Sequence, residues 1–242
     1  MPPKSTLEPD LEDFHKQLVT SLVEARLRSG GTDAEVFNLS AADWGTAQEL
    51  LALRALRAHI QKRPPWATTE KAQQLYRCSG RNCAVLGFYH SGYERKLLDM
   101  LRARGCDAGL AIKGEEGSSH YGLRLGKPSD AERKAINYTE GFCGQQLWAE
   151  DVQPRDVGLV YEQSPRAEEV SALAFAREGM RALSGAKGPS YDRIALSAGA
   201  VDYYLGFCRS LHEGVEQARG ALDGGAAQRT LARYIEATHE AS

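Results

Sequence analysis

Ala84-Val85-Leu86-Gly87-Phe88-Tyr89 is a short apolar run. After His90-Ser91-Gly92 comes a stretch of helical periodicity, residues 93–104, and then a second apolar run, Gly109-Leu110-Ala111-Ile112. Two runs of strand length around one amphipathic helix read as a β-α-β unit. Right-handed crossover makes its two strands parallel neighbours. Residues 121–125 and 136–142 read as further strands, and residues 158–161 begin the last segment before a helical tail. The fold expected from this order is α/β: a mostly parallel central sheet flanked by helices.

The tail carries helical periodicity over 167–183, 192–207, 211–222 and 226–239. Gly185, Gly188 and Pro189 separate the first two, and Gly224-Gly225 the last two. Towards the start, Leu11, Phe14, Leu18, Leu22, Ala25 and Leu27 recur at helical steps, and Gly30-Gly31 ends that pattern. Leu50, Leu51, Leu53, Leu56 and Ile60 mark a second helix over 46–60, with Thr46 as N-cap and Arg63-Pro64-Pro65 as its close. The expected organisation is an N-terminal helical arm, residues 1–45, followed by an α/β domain, residues 46–242.

With 42% hydrophobic and 26% charged residues in 242, the composition is that of a soluble globular protein with a sizeable core. Thirty basic against 32 acidic residues excludes a global attraction to nucleic acid or anionic membrane. No run reaches the ~18 apolar residues of a membrane span, and the first residues lack a signal peptide's apolar region. Five scattered cysteines read as reduced thiols in an intracellular compartment, cytoplasm or organelle lumen or stroma. Cys78 and Cys83 have no second Cys or His pair after them, so ordinary thiols are favoured over zinc ligands.

Four stretches, in order, carry a family resemblance. They are Lys62-Arg63-Pro64-Pro65-Trp66-Ala67-Thr68-Thr69-Glu70; the strand ending in His90-Ser91-Gly92-Tyr93; Ile112-Lys113-Gly114-Glu115-Glu116-Gly117; and Asp192-Arg193-Ile194-Ala195-Leu196-Ser197-Ala198-Gly199-Ala200 with Ser210-Leu211-His212-Glu213-Gly214-Val215-Glu216-Gln217-Ala218-Arg219. Together they resemble the C-terminal lobe of the anthranilate phosphoribosyltransferase-like proteins (glycosyl transferase family 3), over about residues 50–240, and are most similar to a divergent branch. The resemblance implies a phosphoribosyl-transferase fold. It implies that Arg63 stands where the family holds an aromatic acid's carboxylate, a task suited to a guanidinium.

The same resemblance exposes departures. The family's Gly-Thr-Gly-Gly-Asp and Lys-His-Gly-Asn stretches, which cradle pyrophosphate, do not occur among these residues. Gly30-Gly31-Thr32-Asp33 follows a helix and reads better as its C-terminal cap. The acidic pair that holds metal in the family falls here on Ser119 and His120. Glu115 and Glu116, two adjacent carboxylates in a glycine-flanked loop, are the candidates for magnesium, the one cofactor these residues suggest; a solvated turn is the alternative. The C-terminal ends of parallel strands are where open α/β sheets present ligand crevices. The pocket candidates there are His90, Ser91, Tyr93, Lys113 and Gly114, with Glu115 beside them, and the resemblance adds Arg63.

Three functions remain open at this point. A non-catalytic binding or structural module in a larger assembly fits the lost metal pair, with helix 10–28 docking on a protein partner. A phosphoribosyltransferase whose phosphate-binding lobe comes from another chain is the enzyme alternative. Nucleic-acid binding through a stripe of Arg54, Arg57, Lys62, Arg63, Arg77 and Arg81 is the third. No membrane insertion is expected, and oligomeric state is open.

Overall fold

The structure, a computed structural model, describes Ala72 and residues 79–240 apart from 131, 164 and 166–170. The expected helices over 10–28 and 46–60, the arm and the Cys78 site lie outside the described residues. Arg81–Arg229 falls in one compact unit, and the chain from Thr230 onward belongs to a second.

The β-α-β unit forms as read. Strand β1 (Cys83–Gly87) is followed by helix α1 (Tyr93–Ala103) and strand β2 (Ala108–Ile112), and β1 and β2 pair in parallel with Val85 opposite Leu110. Strands β3 (Tyr138–Cys143) and β4 (Gln146–Asp151) complete a four-stranded sheet of order β1-β2-β3-β4. The α/β class holds, but the sheet is mixed rather than mostly parallel. β2 pairs antiparallel with β3, and β3 antiparallel with β4. No helix intervenes between β3 and β4, only a hairpin, and a hairpin dictates an antiparallel ladder. Gly144, at φ 57°, makes that turn.

Residues 121–125 do not form the expected strand. The segment makes one isolated bridge, Arg124 with Tyr161. Its backbone groups are taken by side chains instead. Tyr121 N–H donates to Ser197 Oγ at 3.1 Å, and both polar groups of Gly122 pair with Asn137.

Helices α2 (Ala172–Leu183), α3 (Pro189–Tyr204), α4 (Leu211–Asp223) and α5 (Ala226–Glu240) make the tail. Ser171 caps α2 and Ser210 caps α4 through their hydroxyls. The sheet has a core on each face. Leu110 and Ile112 pack with Tyr191, Leu196, Ala200 and Val215 of α3 and α4; Leu86 and Ala111 pack with Leu97, Leu98 and Leu101 of α1. Burial of β2 on both faces explains why its sequence is unbroken by polar residues. No helix of the described residues is long and apolar enough to cross a membrane.

Candidate functional site

The site is built at the C-terminal ends of β1 and β2, where chain leaves the sheet into two loops. The first, residues 88–92, turns through Gly92 at φ 91° into α1. Gly92 N–H donates to Glu94 Oε2 at 2.7 Å, so the buried Glu94 carboxylate sits at the positive end of α1. Beyond it three rings stand in the solvent: Tyr89 and His90 edge to face at 4.9 Å, and His90 and Tyr93 at 6.4 Å.

Ser91 and Lys113, both pocket candidates, are engaged by the protein itself. Ser91 Oγ accepts from the Lys134 N–H at 2.9 Å. The Lys113 ammonium donates to the Tyr89 carbonyl and lies 5.6 Å from the Phe88 ring and 5.5 Å from the Tyr89 ring. Burial holds Lys113 below the usual lysine range; Glu94 works against that shift and Arg133 with it.

The second loop folds back over the first strand. Gly114 to Gly117 makes a short 3₁₀ turn, closed by Gly117 N–H on the Gly114 carbonyl. A Cβ at Gly87 would stand 2.3 Å from the Gly117 oxygen, and one at Gly114 2.3 Å from the Ser118 oxygen. The loop therefore lies directly on the end of β1, where only glycine leaves room for it. Glu115 turns towards the 122–124 segment: its carboxylate lies against Gly122, and Oε1 is 3.9 Å from Arg124 Nε. For Glu116 only the backbone, in the 3₁₀ turn, is described.

His90 and Tyr93 thus share one exposed aromatic group, Ser91 and Lys113 brace its loop, and Gly114 and Glu115 form a packed turn beside it. Arg63 lies outside the described residues. So does most of the basic stripe; its one described member, Arg81, donates to the Leu205 carbonyl at 2.6 Å and lies 5.0 Å from the Phe207 ring.

Three functional candidates become visible only in three dimensions. Arg193, in the first turns of α3, buries its Nε without a hydrogen-bond partner, and Ser118 buries its Oγ likewise. Asn137, at φ 72° and fully buried, holds Gly122 by both of its backbone groups. Next to Arg193, Tyr161 OH donates to Asp192 Oδ2 at 2.5 Å, and burial with that bond pushes the phenol up to about 12. His120 is held below its ordinary value by burial first and then by the Arg193 charge, with Glu115 opposing.

No family model matches the chain. Its sequence is 32% identical to the anthranilate phosphoribosyltransferase of Citrifermentans bemidjiense over 165 residues, 67% of this chain and 44% of that protein. It is 26% identical to that of Xanthomonas oryzae pv. oryzae over 156 residues, 64% of this chain and 42% of that protein. The crystal structure of anthranilate phosphoribosyltransferase from Thermus thermophilus superposes with a TM-score of 0.56 at 26% identity, over 78% of this chain and 53% of that one. The chain is a relative of the anthranilate phosphoribosyltransferases. It spans under half the length of the curated relatives it matches. The enzyme from Saccharomyces cerevisiae in complex with PRPP and Mg shares the fold at 15% identity, with a TM-score of 0.50 over 66% of this chain and 43% of that one.

Magnesium takes oxygen ligands in near-octahedral geometry, most often one or two carboxylates with water and substrate phosphates. The described residues do not fit that requirement. Ser119 and His120, which follow the turn, bring no carboxylate. Glu115 faces Arg124, and no group of three or more His, Cys, Asp or Glu side chains converges among the described residues.

Proposed function

We propose that this lobe is a binding module of the anthranilate phosphoribosyltransferase fold, acting with a protein partner in a larger assembly and without magnesium-dependent phosphoribosyl transfer of its own. One observation carries the reading: the loop after β2 has Ser119-His120 where the family's metal carboxylates fall, and its own Glu115 lies against Gly122 and Arg124. Phosphoribosyl transfer develops charge on the leaving pyrophosphate, which metal and backbone N–H groups must stabilise. The loop is packed onto Gly87, and Ser119 and His120 bring no carboxylate to that place.

The test is turnover. The purified chain is incubated with phosphoribosyl pyrophosphate, anthranilate and magnesium, and phosphoribosyl-anthranilate is followed by loss of anthranilate fluorescence. The expected result is no turnover above the protein-free rate. Turnover that disappears in Glu115→Gln would overturn the reading.

A second reading has an observation of its own. Tyr89, His90 and Tyr93 present exposed rings at the strand end where α/β enzymes hold their ligands. An enzyme that receives its phosphate-binding lobe from another chain would use that face for an aromatic acceptor. Turnover that appears only when a relative's phosphate-binding lobe is added would favour it.

A further inference from the structure

The sheet ends on an unguarded edge. In the order β1-β2-β3-β4, β4 has β3 on one side and no strand of the described residues on the other. Val152 N–H donates to the Asn137 carbonyl, so the backbone of Val152 faces β3. Strand alternation then turns Glu150, Trp148 and Gln146 towards β3, and Asp151, Ala149 and Leu147 away from it. The outward N–H and C=O groups of Leu147 and Ala149 meet no partner among the described residues. Leu147 is 66% exposed, and Ala149 is exposed beside it. Native edge strands are commonly blunted by lysine, proline or a bulge. Gln146–Asp151 has neither residue, and its register against β3 runs without a bulge.

The strand's own sequence selects what pairs with it. Antiparallel pairing of β4 with a second β4, about a two-fold axis at Trp148, sets Leu147 opposite the partner's Ala149. Both positions bond outward, so the two symmetry-related pairs each exchange both backbone bonds. The same register sets Gln146 opposite the partner's Glu150, an amide donor against a carboxylate, and no two carboxylates face each other. Trp148 meets its own copy, and each ring already rests against Tyr204, with centroids 6.0 Å apart. An axis at Ala149 would instead set Leu147 against Asp151 and Trp148 against Glu150, apolar groups against charges.

We propose that β4 is a homodimerisation edge: two copies of this chain join β4 to β4, antiparallel about Trp148, into one continuous sheet. The interface is isologous, with the same residues on both copies. An edge of this length buries little surface, so the dimer forms in a concentration-dependent way. The inference goes beyond the binding-module reading and does not rest on it, because no residue of the loop after β2 takes part.

The experiment is sedimentation equilibrium of the full chain from micromolar to submillimolar concentration, for the natural protein, Ala149→Pro, Gln146→Glu and Gln146→Lys, each with its thermal melt. Ala149→Pro removes an outward N–H and leaves the bonds to β3 in place, since proline is tolerated on an edge strand where the N–H faces solvent. The expected result is a monomer–dimer equilibrium that Ala149→Pro weakens about tenfold or more. Gln146→Glu sets like charges across the axis and weakens it; Gln146→Lys sets opposite charges there and tightens it. The two Gln146 variants, at an exposed position, decide the matter if the proline variant fails to fold. A natural chain that stays monomeric throughout overturns the proposal. So does a dimer that is indifferent to both Gln146 substitutions, because its interface then lies elsewhere.

Discussion

Asn137 holds Gly122 from both sides: its Nδ2 donates to the Gly122 carbonyl and its Oδ1 accepts the Gly122 N–H, each at 2.8 Å. The pair replaces two rungs of a ladder with one side chain. It also sets the path of the chain from the glutamate loop, through His120, to the sheet. Asn137 can do this because asparagine tolerates the left-handed backbone, here φ 72°, better than most residues. Its own N–H and carbonyl bond Lys113 and Val152.

Removing the clamp should be costly. Asn137→Gly keeps the backbone but leaves both Gly122 groups buried without partners, for a loss of about 2–4 kcal/mol. Asn137→Ala adds left-handed strain of about 1 kcal/mol more. Urea denaturation of the two variants measures both numbers; a loss under about 0.5 kcal/mol for Asn137→Gly would show that the clamp is dispensable.

Two glycines let α3 and α4 touch backbone to backbone. A Cβ at Gly199 would fall 2.3 Å from the Val215 nitrogen, and one at Gly214 2.3 Å from the Gly199 oxygen. Backbone cannot step aside as a flexible side chain can, so Gly199→Ala should cost about 3 kcal/mol or more. Gly220, on α4 with nothing within 4 Å of its would-be Cβ, is the control. Gly220→Ala should stabilise by up to about 1 kcal/mol through helix propensity. Equal effects of the two substitutions in thermal melts would contradict this packing.

His120 predicts a pH dependence with a definite sign. Its folded pKa lies below the ordinary 6.5, through burial, Arg193 and, in opposition, Glu115. Below about pH 6.5 the unfolded chain therefore takes up a proton that the folded chain resists. Stability should fall as pH drops through that value, level off below the folded pKa, and be flat with respect to this group above 6.5. His120→Gln should lose that component. An unchanged stability profile between pH 5 and 7.5 in the variant would sink the assignment.

Much of the fold is legible in the residues because the periodicity changes where the structure does. The runs 84–89 and 109–112 around a helical stretch specify β1, α1 and β2, and the glycine punctuation of the tail marks the ends of α2 to α5. β4 escapes because Gln146-Leu147-Trp148-Ala149-Glu150-Asp151 is an edge strand exposed along most of its length, with no apolar alternation. The 121–125 segment misleads in the opposite sense. Tyr121 and Leu123 are fully buried and alternate as a strand would, but side chains distant in sequence satisfy the backbone.

The site divides in the same way. His90 and Tyr93 are readable because strand ends in α/β sheets are known places for ligands. That Ser91 and Lys113 are engaged by Lys134 and Tyr89, and that Glu115 faces Arg124, follows from loop packing that no local pattern encodes. Arg193 reads as one more polar residue of an alanine-rich helix; only the fold shows its Nε buried and unmatched.

The central claim is that this lobe has no magnesium-dependent phosphoribosyl pyrophosphate site of its own. Titration calorimetry of the chain with phosphoribosyl pyrophosphate, in magnesium and in EDTA, tests it most directly. The expected result is a titration with no magnesium-dependent component, the same in both buffers. Micromolar binding that requires magnesium and is lost in Glu115→Gln would contradict it and restore a metal site to the loop after β2.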